Sequence, residues 1–176
     1  MRRMMSLLTL VAALFAALFA ALFAGLFAGC DAQRAAKLEE GLSTEADVRT
    51  QYGEPVQVIE RADGSKLLAY PRQPEGWTNV EIVIGSDGKM ASLRQLLTPA
   101  NFAKVRPGMA QAEVRQLLGP HARALRYALK PAEETWRWHF MAGQDKQVFE
   151  VVFDGERRVL SSAIADDERQ TMPGGK

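Results

Sequence analysis

The chain repeats itself. Val48-Arg49 recurs as Val114-Arg115, and Gly53 recurs as Gly119, both 66 residues later. Downstream, Glu81-Ile82-Val83-Ile84 followed by Asp87-Gly88 matches Glu150-Val151-Val152-Phe153 followed by Asp154-Gly155, with the offset drifting to 69 and then 67. Loop insertions leave such small drifts in a duplicated unit, so the chain is read as tandem copies, Asp31–Thr98 and Pro99–Ala165. The duplication limits the folds available, because any solution must serve both copies. A unit of roughly 65 residues is marginal alone. The two copies are therefore expected to pack together through sheets or strand edges.

Local physics supplies the elements. Ala32 to Glu40 favours a helix ending at Gly41, and Ser43 or Thr44 is placed to cap a second helix through Tyr52. Gly53 ends that helix and Pro55 prevents its continuation. In the second copy Thr98-Pro99 offers an N-cap with proline at the first helical position, and Ala112 to Leu118 forms the next helix. Ala110 stands where a capping hydroxyl would serve, which weakens that start by roughly 1 kcal/mol. Four strands are expected after each helix pair: 56–61, 66–71, 79–85 and 89–97, then 123–129, 134–141, 147–153 and 157–164. Val80, Ile82 and Ile84 alternate with Glu81 and Val83, as one buried sheet face requires. The expected class is α+β: tandem helix-turn-helix plus four-stranded antiparallel sheet units.

The first thirty residues obey other rules. Of them, 24 are hydrophobic, and only Arg2 and Arg3 are charged. A basic start, an apolar run and small residues before Cys30 describe a secretory signal over 1–29. The run is also long enough to span a bilayer uncleaved. Cys30 is the only cysteine, so no intrachain disulfide is available. Leu26-Phe27-Ala28-Gly29-Cys30 resembles the lipobox of bacterial lipoproteins. The resemblance implies a diacylated Cys30 that becomes the first mature residue, with the chain held at a membrane and facing the periplasm. A free thiol is the bland alternative. Asp31 resembles the inner-membrane retention residue of enterobacterial lipoproteins, whereas the family resemblance below implies the outer membrane. Residues 166–176 are polar, contain Pro173-Gly174-Gly175 and read as a flexible tail.

Gly41, Asp47, Val48, Gly53 and Pro55, repeated as Gly108, Glu113, Val114, Gly119 and Pro120, resemble the SmpA/OmlA (BamE-like) lipoprotein domain family. Their tandem arrangement resembles the fold of the β-lactamase inhibitor protein (BLIP). The first resemblance implies a non-catalytic binding or scaffold module in outer-membrane protein assembly or envelope integrity, with the β-barrel assembly machinery among its partners. The second implies an inhibitor of a periplasmic or secreted enzyme.

Chemistry-bearing residues are sparse. His121 and His139 are the only histidines, and no metal-ligand spacing, phosphate loop or nucleophile elbow is present. No catalytic, metal or cofactor residues are assigned, and the chain is not read as an enzyme. His139 is expected on an exposed strand face beside Arg137, and His121 in an exposed loop. Trp136, Trp138 and Phe140 share a core face. Trp77, in a turn-rich loop, either folds back over the sheet or anchors a partner. The net charge of +1 is a cancellation, since residues 31–98 carry 8 basic and 11 acidic side chains while 99–165 carry 10 and 7. That balance argues against a nucleic-acid binder. It points the basic half, through Arg126 and Arg137, toward anionic lipid headgroups or an acidic partner.

Overall fold

The computed structural model describes residues 30–167, so the readings for 1–29 and for most of the tail lie outside the described residues. The chain divides between Glu39 and Glu40. Before that point lies one short helix, α1 (Cys30–Ala35), with Asp31 and Arg34 paired at 3.2 Å. Among the described residues no helix is long and apolar enough to cross a membrane.

From Glu40 onward the fold is mixed α+β and dominated by strands. Helix α2 (Glu45–Tyr52) precedes β1 (Gln57–Glu60), β2 (Lys66–Pro71), β3 (Asn79–Ile84) and β4 (Met90–Gln95). Helices α3 (Pro99–Phe102) and α4 (Gln111–Leu118) precede β5 (Arg123–Tyr127), β6 (Lys130–Ala142), β7 (Asp145–Phe153) and β8 (Val159–Asp166). Each set of strands forms an antiparallel meander, β1-β2-β3-β4 and β5-β6-β7-β8.

The duplication extends to individual hydrogen bonds. Met90 N–H donates to Ser43 O at 2.7 Å and Val159 N–H to Met109 O at 2.8 Å. Gly41 N–H reaches Met90 O at 2.8 Å, and Gly108 N–H reaches Val159 O at the same distance. Both sheets carry a bulge near the same turn, with Ile84 opposite Met90 and Phe153 opposite Val159. This pairing corrects the sequence alignment of the turns. Gly85 N–H donates to Lys89 O and Asp154 N–H to Arg158 O, so Gly88 corresponds to Arg157 rather than to Gly155. Gly88 has φ 78° and Arg157 has φ 62°, a left-handed conformation that favours glycine and strains arginine.

Helix ends follow the capping chemistry. Thr44 Oγ1 accepts from Asp47 N–H at 3.3 Å, and Thr44 N–H donates back to Asp47 Oδ2 at 2.8 Å. Those Thr44 donors hold the Asp47 carboxyl below its usual range. At α4 only the reciprocal half survives, Ala110 N–H to Glu113 Oε2 at 2.7 Å. Thr98 caps α3 through Asn101 N–H, with Pro99 in the first turn. The helix expected over 32–40 is corrected, since α1 stops at Ala35. Residues 40–43 lie beside β4, where Gly41 and Ser43 bond Met90 and the Glu40 carboxylate accepts from Leu93 N–H. The hairpin between β5 and β6 is also tighter than expected, with Tyr127 opposite Lys130.

Val48 and Tyr52 of α2 cover the sheet face bearing Leu68, Tyr70, Val80, Ile82 and Ile84, with the Tyr52 and Tyr70 rings 5.3 Å apart. Tyr70 is buried with its hydroxyl unpartnered, and that burial pushes its pKa up to about 12. The opposite face of this first sheet borders the second copy. Leu67, Glu81 and Arg94 share a cleft of about 670 Å³ with Asn101, Lys104, Gln116 and Leu117 from the α3–α4 region. The other side of α3 and α4 buries Phe102, Val105, Val114 and Leu118 against Trp136, Trp138, Phe140, Phe149, Val151 and Phe153. Phe102 stacks on Phe149 at 4.2 Å and meets Phe140 edge-on at 4.7 Å. The α3–α4 region thus lies between this cleft and the core of the second sheet.

Candidate functional site

The β2–β3 connection, residues 72–78, is where the copies differ most. Its counterpart between β6 and β7 is only Gly143-Gln144. The long loop spans the gap between copies. Strand β5 pairs with β6 no further than Arg123 opposite Arg137, so the main chain of His139 lies beyond the end of that ladder. Gln73 meets it there, accepting from His139 N–H at 3.1 Å and donating to His139 O at 2.8 Å. One carboxamide thus does what a strand residue would do. Just below, Asn79 Nδ2 donates to Leu118 O at 2.7 Å and Pro120 O at 2.9 Å, satisfying carbonyls that the end of α4 leaves free. Asn79 is 1% exposed. Gly119 belongs to this contact, because a Cβ there would lie 2.9 Å from Asn79 Nδ2.

The loop ends over the outer face of the second sheet, beside a cleft of about 340 Å³. Pro74 and Glu75 form one wall; Arg123, Arg137, His139 and Glu150 form the floor, with Asp166 and Asp167 at the end of β8. Trp77 folds back, its ring 5.5 Å from the His139 ring, with Lys146 Nζ 5.4 Å over its face. His139 Nδ1 lies 3.1 Å from Pro74 O, a carbonyl that can only accept, so the neutral ring carries its proton on Nδ1. Arg137 and Glu150 face each other across β6 and β7 and form a 2.5 Å ion pair. An anion approaching Arg137 would have to displace that carboxylate.

The sequence-derived site residues thus separate. Trp77 and Arg137 come together around His139, whereas Arg126 lies near the other end of the sheet, 3.8 Å from Glu134. His139 is half-buried beneath the loop rather than open on its strand. His121 requires a larger correction. It is a half-buried ring stacked at 4.3 Å on Trp136 and edge-on to Trp138 at 6.0 Å. Its Nδ1 is buried without a partner, and burial, reinforced by Arg115, holds its pKa below the usual imidazole value. The Gly119-Pro120 break suggested an exposed loop, but the break lays this ring against the tryptophans. Gln73 and Asn79 were not singled out by sequence. The one signal was the difference in loop length between copies.

Among the described residues no group of three or more His, Cys, Asp or Glu side chains could hold a metal ion. No family model matches the chain, and no curated protein matches it. Among solved structures, the chain is similar to a DUF4309 family protein (YjgB) from Bacillus subtilis, with 16% identity and a TM-score of 0.30 over 74% of this chain and 82% of that one. It is also similar to an extracellular SCP-domain protein from Bacillus anthracis, with 12% identity and a TM-score of 0.28 over 77% of this chain. The match spans 46% of that second protein.

Proposed function

We propose that the chain is a cell-envelope lipoprotein, anchored through acylated Cys30 and facing the periplasm, that acts as a non-catalytic binding or scaffold module. Outer-membrane protein assembly and envelope integrity are the settings its SmpA/OmlA-like pattern suggests, in a tandem arrangement related to the inhibitor-protein fold. The observation that carries the reading is the outer face of the second sheet, on which, among the described residues from Glu40 onward, loop 72–78 builds a cleft of mixed charge. A surface of that kind suits a protein partner better than a lipid headgroup, because Glu150 already neutralises Arg137. The inhibitor alternative calls for a projecting aromatic loop, and Trp77 instead packs over His139.

A photo-crosslinking residue in place of Glu75 or Arg123, in the full chain in its native membrane, tests this reading. Envelope-assembly proteins crosslinked at both positions support a scaffold. A single stoichiometric enzyme would favour the inhibitor, and no crosslink at either position would refute a binding role for this face. Anchoring is tested separately. Cys30→Ala should abolish incorporation of a labelled fatty acid, and retained label would refute acylation at this residue.

A further inference from the structure

The two copies treat their last strands differently. In the first, the outer edge of β4 is guarded, because the Glu40 carboxylate accepts from Leu93 N–H at 3.2 Å. The residue equivalent to Glu40, immediately before Gly108, is Pro107, whose side chain has no acceptor. Ser162, the counterpart of Leu93, has no such partner among the described residues. Every residue of β8 from Leu160 to Asp166 is exposed, including Leu160 at 46% and Ile164 at 49%. Between Val159 and Ala165 there is no charge and no proline. Unguarded edges of this kind template further strand pairing, and proteins ordinarily blunt them with lysine, proline or a covering element.

The hydrogen-bonding phase of this edge can be read from its neighbours. Asp167 N–H donates to Lys146 O at 3.4 Å, continuing the register that sets Ala165 opposite Val148. Residues 161, 163 and 165 therefore turn their main-chain groups toward β7, and 162, 164 and 166 turn theirs outward. At the start of the strand the outward groups of Val159 are already bonded to Gly108 and Met109. Among the described residues the edge is unpaired from Leu160 to Asp166, and its midpoint is Ala163. Two basic residues, Arg157-Arg158, precede it, and two acidic residues, Asp166-Asp167, close it.

We propose that β8 is a self-association edge that pairs antiparallel with β8 of a second copy about a two-fold axis at Ala163, joining the two second-half sheets into one of eight strands. Charge complementarity selects this occupant. Antiparallel pairing brings the acidic end of each strand toward the basic start of the other, with Asp166 opposite Leu160 and diagonal to Arg158 of the second copy. Ser162 then faces Ile164, and the exposed Leu160 and Ile164 side chains of both copies gather on one face. The interface is isologous and closes at two.

The register makes a sharp prediction. Ala163 meets its own copy in a non-hydrogen-bonded pair, about 4.5 Å between Cα atoms, which suits a disulfide. In the full chain in detergent, which keeps Cys30 as an internal control, Ala163→Cys should give an oxidised dimer beyond any formed by the parent. Ala165→Cys should not, since the pairing moves the two copies of that residue apart. Light scattering should find the parent dimeric. Ser162→Pro removes an outward N–H and should be monomeric, with a melting temperature matching that of the parent at a dilution where the parent has dissociated. Asp166→Arg makes two symmetry-related pairs repulsive and should weaken dimerisation about tenfold. Adding Arg158→Glu should restore it. A monomeric parent, a dimer that survives Ser162→Pro, or crosslinking at 165 but not at 163 would overturn the proposal. So would a strand from another protein found at this edge in membranes in place of the second copy.

Discussion

Replacing Asn79 by alanine tests how the copies are held together. The side chain gives one amide nitrogen to two carbonyls, Leu118 O and Pro120 O, at a site closed to solvent. Each hydrogen bond contributes about 1 kcal/mol net, and a buried carbonyl left without a donor costs about 1–3 kcal/mol. Against this, Asn79 Oδ1 is itself buried and unpartnered, so its removal returns part of the loss. The balance is a destabilisation of about 2–3 kcal/mol. In urea this is a midpoint lowered by roughly 1–1.5 M at unchanged slope, taking a slope of about 2 kcal/mol/M. Asn79→Asp should be worse than Asn79→Ala, because a carboxylate would face two carbonyl oxygens with no proton to offer. A loss below about 0.5 kcal/mol, or an aspartate milder than alanine, would refute the account. A second unfolding transition in Asn79→Ala would show that the halves had uncoupled.

Three further outcomes follow from comparing the copies. Ala110→Thr supplies the missing cap at α4, where the backbone already has the extended conformation seen at Thr44; it should stabilise by about 1 kcal/mol and raise Tm by about 3 °C. Arg157→Gly relieves the left-handed strain that Gly88 avoids and should stabilise by about 0.5–1 kcal/mol in urea unfolding, whereas Gly88→Arg should destabilise. His121 has a folded pKa below its unfolded value, so the unfolded chain binds the extra proton. Its contribution is complete above the unfolded pKa near 6.5 and is lost as pH falls below it. A Tm-versus-pH profile should flatten in that window in His121→Phe, and an unchanged profile would assign the acid sensitivity elsewhere.

The two sets of four strands, the Thr44 and Thr98 caps and the buried alternation of β3 and β7 could all be read in the sequence, because each rests on neighbours within a few residues. What could not be read rests on partners far along the chain. Gln73 contacts His139 and Asn79 contacts Leu118, and nothing near either residue announces a polar group shaped to finish another element. His121 misled for the same reason: a glycine-proline break locates a turn without saying what the turn lies against. The alignment of Asp87-Gly88 with Asp154-Gly155 matched letters, whereas the bulged strands align the turn two residues further on. Trp77 could be placed in a loop by its neighbours, but its resting place over His139 depends on the second copy.

The far face of the first sheet borders the α3–α4 region of the second copy, and the outer face of the second sheet is the corresponding surface there. Repeat arrays need an end that refuses the next unit. Here loop 72–78 of the first copy reaches past its own sheet to that surface, where the Arg137–Glu150 pair makes poor ground for apolar helices. Shortening the loop to the two-residue form between β6 and β7 would take Gln73 away from the His139 main chain and open that stretch of strand edge.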